Sequence, residues 1–176
     1  YRHASGLYNT KINPIGGYSV NGVLWYQGEA DYNYADYWYA AFDKMINDWR
    51  NLWSERTGAD EKLPFFVVQL PRYKADYAAI REAQWFAQFK NDNVTTVTSI
   101  DSGDKTNIHP LDKTAVADRL FGAVMTKIYG RDTVYMPAVY ESSTTADNKM
   151  TLKFTGAGSG LKMAEDAASL TGFEIT

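Results

Sequence analysis

Phe65-Phe66-Val67-Val68-Gln69-Leu70, closed off by Pro64 and Pro71, constrains the fold more than any other stretch of this chain. An apolar run without polar alternation has no face to give to water, so as a strand it must be covered on both sides. Its flanking prolines cannot donate to a ladder, which confines the strand to these few residues. The neighbouring sequence supplies the cover. Asp36 to Trp53 reads as a helix in which Trp38, Phe42, Met45, Ile46, Trp49 and Trp53 recur at three- and four-residue steps on one face. Tyr77 to Lys90 reads as a second helix, and Val20 to Tyr26 and Val94 to Ile100 as further strands. Pro110 suits the first turn of a third helix, whose buried face of Val116, Leu120, Val124 and Ile128 carries it to about Tyr129. Strands and helices in strict alternation predict an α/β fold, a parallel sheet sandwiched by helices.

The ends of the chain read differently. Residues 1–20, with Asn9, Asn13, Pro14, Gly16 and Gly17, have no period and suit a loop with a short helical turn; residues 55–63 read as a polar loop. After Gly130 the helical period disappears. Val139 to Ser142, Met150 to Phe154 and Gly172 to Ile175 look like short strands, separated by Asp147-Asn148 and a glycine-rich stretch at 156–160. The expected organisation is therefore an α/β domain over 1–132, followed by an incomplete β-rich module over 133–176.

Composition removes several classes of function. Hydrophobic residues at 45% exclude a disordered chain, and the 13 Tyr and 5 Trp are read chiefly as core. A formal charge of -3 with no run of Lys or Arg argues against nucleic acid and against an anionic membrane surface. The apolar runs are far too short to span a bilayer. With no cysteine there are no disulfides, thiolate metal sites or Cys nucleophiles. The sequence opens at Tyr1 rather than Met, so the lack of a leader says nothing about secretion.

Two segments carry polar groups where chemistry is expected. In Val23-Leu24-Trp25-Tyr26-Gln27-Gly28-Glu29-Ala30-Asp31 an apolar run ends in a glycine flanked by an amide and a carboxylate. In Asp101-Ser102-Gly103-Asp104-Lys105-Thr106-Asn107-Ile108-His109-Pro110 a histidine lies between a strand and a helix. Open α/β sheets place their ligand crevices at the carboxyl ends of such strands. His109 can serve there as general base toward a hydroxyl nucleophile if a carboxylate orients its other nitrogen, and Glu29, Asp101 and Asp104 are the candidates. The bland alternative is a capping or solvated histidine; His3, in the irregular start, is a weaker candidate. The Gln27 amide can donate to an oxygen that becomes negative during acyl transfer, a contribution of about 3 kcal/mol in a dry site. Equally, Gln27 and Glu29 can pin loop backbone. Neither Gly-x-Ser-x-Gly nor Gly-Asp-Ser occurs, so Ser5, Ser99 and Ser102 read as turn residues rather than nucleophiles. Two distant histidines without paired carboxylate spacing predict neither a metal nor a cofactor.

Leu7-Tyr8-Asn9, Ile12-Asn13-Pro14 and Gly22 through Trp25-Tyr26-Gln27-Gly28-Glu29 resemble the sialate O-acetylesterase family, which belongs to the SGNH (GDSL-like) hydrolases and is similar to carbohydrate esterase family 6. The resemblance continues through Met45-Ile46-Asn47-Asp48-Trp49-Arg50, Leu63 to Leu70, Arg81-Glu82-Ala83-Gln84, Ile108-His109-Pro110 and Gly172-Phe173-Glu174, and so covers nearly the whole chain. It implies a partial SGNH-type sheet and a serine esterase that removes O-acetyl groups from sialic acids or related sugars. It further implies His109 as catalytic histidine, Gln27 as oxyanion donor, Gly28 permitting close backbone approach, and Glu29 as support. Arg81 and Gln84 are expected behind these groups.

The family's nucleophile lies in a Gly-Gln-Ser-Asn-type block upstream of anything present here. The expected partners are thus an O-acetylated sugar and the missing N-terminal half of the catalytic domain, on the same or a separate chain. Alone, this chain is expected to be inactive and to self-associate through an exposed sheet edge. Many members carry an acid shortly before the histidine, where this chain has Thr106 and Asn107. Asn107 can bond an imidazole but cannot stabilise its charge, which leaves Glu29, Asp104 or Asp101 as the acid. A non-catalytic sugar-binding protein on the same scaffold and an acetyl xylan esterase are the alternatives, and the resemblance favours a secreted or periplasmic location.

Overall fold

The computed structural model describes residues 5–59, 62–163 and 168–169. It divides into two compact units, Tyr1–Tyr135 and Met136–Thr176. In the first, strands β1 (Val23–Trp25), β2 (Phe65–Val68) and β3 (Val94–Val97) form a parallel sheet in that order. Helix α1 (Ala35–Thr57) links β1 to β2, α2 (Ala78–Lys90) links β2 to β3, and α3 (Thr114–Lys127) follows β3. Val23 pairs with Phe65 and Trp25 with Val67; Phe65 pairs with Val94 and Val68 with Val97.

All four residues of β2 are buried, and the twofold alternation of the strand divides them between the two faces. Phe65 and Val67 pack with Trp38, Phe42 and Ile46 of α1 and Ile80 and Ala87 of α2. Phe66 and Val68 pack with Val116 and Ala123 of α3. The layered α/β architecture read from the sequence is the one observed.

Several boundaries move. Helix α1 continues past Trp53 to Thr57, where the Gly58 N–H bonds Ser54 O, so most of the expected polar loop begins later. Pro110 does not open the third helix. That helix starts at Thr114, whose N–H is taken by Asp112 Oδ1 at 2.9 Å, leaving Pro110 in the preceding loop. The described part of the irregular start holds a π-type turn, Tyr8–Ile12, and a 3-10 turn, Asn13–Ile15, tied to α1 by the Arg56 guanidinium on Asn13 and Gly16 O.

The second unit holds an antiparallel hairpin of β4 (Val139–Ala146) and β5 (Lys149–Thr155). Asp147 and Asn148 form its two-residue turn, with φ of 51° and 58°, the positive pair that a type I′ turn demands. The strand expected at Gly172 to Ile175 lies outside the described residues.

Candidate active site

The candidate residues lie where the parallel strands end. β1 runs out through Tyr26 into Gln27-Gly28-Glu29, β2 into Gln69-Leu70-Pro71-Arg72, and β3 into the loop that carries His109. Side chains lace these ends together. Gln84, fully buried on α2, donates from Nε2 to Gln27 O at 2.9 Å and accepts the Leu70 N–H on Oε1 at 2.8 Å. Thr96 Oγ1 donates to Gln84 O at 2.9 Å. Arg81 donates to Leu70 O and Pro71 O at 2.8 and 2.6 Å. Gln69 accepts from Thr98 Oγ1 at 2.8 Å on its side chain, and from Ser99 Oγ at 2.6 Å on its backbone. A bridge between Arg72 and Gly103, with Arg72 N–H on Ser102 O at 3.0 Å, joins the loops after β2 and β3.

At two glycines any side chain would be strained. Gly28 has φ 141°, and a Cβ there would sit 2.8 Å from Gln84 Nε2. Gly103 has φ 89°, and a Cβ would meet Arg72 O and Pro71 Cβ at 2.7 Å.

The Gln27 side chain is itself held. Its Oε1 accepts the Trp38 indole N–H at 2.9 Å, and its Nε2 donates to Asp31 Oδ2 at 2.6 Å. Of the two amide hydrogens one is thereby used and one is left. Glu29 is half-buried and, among the described residues, makes no hydrogen bond or ion pair. Burial first and its negative charge second push the Tyr26 hydroxyl up to about 12, and the same two causes, in that order, raise Tyr77. Burial also lowers the Arg81 guanidinium, which sits 5.6 Å from the Tyr77 ring centroid.

His109 lies on an exposed loop. Its backbone N–H bonds Asn107 Oδ1 at 2.9 Å, and its imidazole has no hydrogen-bond partner among the described residues. The Asn107 Oδ1 is therefore taken up in a local turn rather than by the imidazole, and short amides close such turns readily. Asp104 Oδ1 accepts from Thr106 N, Thr106 Oγ1 and Asn107 N at 2.7, 2.8 and 3.0 Å, bonds that hold its carboxyl below the ordinary range. Asp101 is clasped by the two terminal guanidinium nitrogens of Arg119 at 2.6 and 2.5 Å. That hydrogen bonding lowers Asp101 and raises Arg119. So Asp101 and Asp104 stand in the histidine's loop, but each is bonded to something other than the imidazole.

The loop nevertheless reaches the end of β1. Lys113, which closes it, places Nζ 4.9 Å from the Tyr26 ring centroid. A hollow of about 530 Å³ opens beside Asp101, Gly103, Asp104, Asn107 and Pro110. Another of about 590 Å³ lies at the opposite strand ends, among Val20, Asn21, Pro64 and Asn93, and contains none of the candidate residues. No three His, Asp or Glu side chains converge on a metal-sized site among the described residues. Reasoning from sequence did not single out Asp31, Gln69 or the site contact of Trp38. A signal was present for Trp38, since an indole N–H taken out of water gains from an acceptor.

A family profile described as carbohydrate esterase, sialic acid-specific acetylesterase, matches residues 3–131. The chain belongs to this family. It is 36% identical over 149 residues to the sialate O-acetylesterase of Mus musculus, a match covering 73% of this chain and 27% of the mouse protein. The Homo sapiens sialate O-acetylesterase is 32% identical over 144 residues, covering 72% of this chain and 28% of the human protein. The chain thus spans little more than a quarter of the length of these curated relatives. The crystal structure of a carbohydrate acetylesterase from Xanthomonas citri superposes with a TM-score of 0.72 at 33% identity, covering 84% of this chain and 35% of that one. The esterase resemblance read from the sequence is borne out at the level of family and fold.

Proposed function

We propose that this chain carries the base and oxyanion-stabilising side of a serine esterase that removes O-acetyl groups from sialic acids or related sugars. The observation that carries this reading is the Gln27 amide, fixed with a hydrogen to spare, at the same sheet edge that the His109 loop reaches through Lys113 and Tyr26. A serine Oγ attacks the acetyl carbonyl while His109 takes its proton, and the oxygen that becomes negative accepts the remaining Gln27 N–H. Collapse expels the sugar hydroxyl with that proton, and water repeats the cycle on the acetyl-enzyme. Of the three candidate carboxylates, Glu29 is the one not bonded elsewhere among the described residues, and we assign to it the support of His109.

The nucleophile comes, in this proposal, from a segment outside these residues, on the same or another chain. The absence of both serine motifs and the fraction of the relatives that is spanned support it. So does β1, which among the described residues pairs on one side only and leaves Leu24 on its face 59% exposed: an incoming segment pairs there, and without it copies of the chain associate. A secreted or periplasmic location belongs to the same proposal. The test is to supply the upstream segment and assay O-acetylated sialic acid beside acetylated xylan. Turnover of the sialic acid is expected; saturable binding without turnover would favour a sugar-binding protein on the same scaffold. The 176-residue chain by itself should leave p-nitrophenyl acetate intact, and hydrolysis abolished by His109→Ala would overturn the outside nucleophile.

A further inference from the structure

We infer that Trp38 is a positioning residue of this site: its indole N–H fixes the polarity of the Gln27 amide, so that an N–H and not a carbonyl oxygen is presented to the developing oxyanion. The inference rests on the reading of Gln27 as the oxyanion donor.

A glutamine amide is nearly symmetric in shape and opposite in chemistry at its two ends. A half-turn about its last torsion exchanges a donor for an acceptor at little steric cost. With the oxygen outward it would repel the charge it is meant to stabilise. Two neighbours break this degeneracy. An indole nitrogen only donates, so at 2.9 Å from the amide Trp38 admits the oxygen end alone. An ionised carboxylate only accepts, so Asp31 at 2.6 Å admits the nitrogen end alone.

Trp38 is itself a fixed reference. It is buried near the start of α1 and stacked on Phe42, with ring centroids 4.7 Å apart and planes 14° from parallel. Gln84 holds the Gln27 backbone from the other direction. Donation into the amide oxygen also polarises the amide, which strengthens the hydrogen that remains. A tryptophan that reads as core from its spacing therefore acts through Gln27 on the reaction.

The experiment uses the extended protein that carries the nucleophile. Trp38→Phe keeps an aromatic ring on Phe42 and removes the N–H. It should lower kcat about tenfold, the equivalent of one ordinary hydrogen bond, at unchanged KM. In a Gln27→Ala background it should cost nothing more. Asp31→Ala, at a half-exposed position, should show the same pattern severalfold and serves if Trp38→Phe does not fold. Wild-type kcat in both variants, while Gln27→Ala is impaired, would overturn the inference. So would losses that multiply in full with that of Gln27→Ala, which would mark Trp38 as packing alone. If the wild-type extended protein turns over no acetyl ester, the esterase reading fails separately, and the lock is judged by NMR on the ¹⁵N-labelled chain. Trp38→Phe should shift the two Gln27 side-chain amide hydrogens and quicken their exchange; unchanged signals would overturn it.

Discussion

The two polar segments of the site are built in opposite ways. At the end of β1, Gln27 and Gly28 rest on the buried Gln84 beneath the backbone, with the buried Trp38 and the half-exposed Asp31 on either side of the amide. At the end of β3, His109 stands on an exposed stretch of loop shaped by short-range bonds from Asp104 and Asn107, with its start tied to α3 by Arg119 on Asp101 and to the loop after β2 by the Arg72–Gly103 bridge. The donor side is organised in advance through the core. The base side is shaped locally, and its imidazole is left without a partner among the described residues. A group that must stabilise charge gains from being fixed beforehand, whereas a group that must trade protons with a nucleophile has to keep one nitrogen free for it.

Substitutions should separate the two sides by the size of their effect on stability. Gln84→Ala strips partners from Leu70 N–H and Gln27 O and leaves a void, and should cost about 3 kcal/mol in urea denaturation. A loss under about 1 kcal/mol would mean the buried lacing contributes little. Gly28→Ala forces a Cβ against Gln84 at a backbone angle that L-residues rarely adopt, and should cost about 2 kcal/mol by the same measurement.

On the base side Asp101→Asn should cost no more than about 1 kcal/mol, because the Asp101 side chain is 60% exposed and solvent screens its pair. Its sign with pH is fixed. Asp101 is depressed in the folded protein by Arg119, so its stabilisation is complete above the ordinary carboxylate pKa of about 4. It is lost as pH falls through the lower folded value. The wild-type and Asp101→Asn curves should therefore differ at neutral pH and converge in acid; a gap that widens in acid would contradict the ion pair.

The division between legible and hidden features has a physical basis. β2 could be read because an unbroken apolar run between prolines has one stable use. The hairpin turn could be read because Asp147-Asn148 tolerates positive φ. The end of β3 was overestimated: after Val97 the hydroxyls of Thr98 and Ser99 turn to Gln69, and the strand ladder stops. Arg81 and Gln84 were expected behind the site, where the structure shows them bonding strand ends. The Asp101–Arg119 pair and the Trp38–Gln27 bond stayed hidden because each joins groups whose spacing follows no local period. Trp38 was doubly concealed, since the residue that completes the helix stripe is also the one that orients the amide.

The most direct test of the central claim is acetyl ester hydrolysis by the extended protein, with melting temperature followed in parallel, for wild type and His109→Ala. The exposed imidazole bonds nothing among the described residues, so its removal should leave the melting temperature within about 2 °C while turnover falls by at least about a thousandfold. Turnover within a few fold of wild type in His109→Ala would contradict the account.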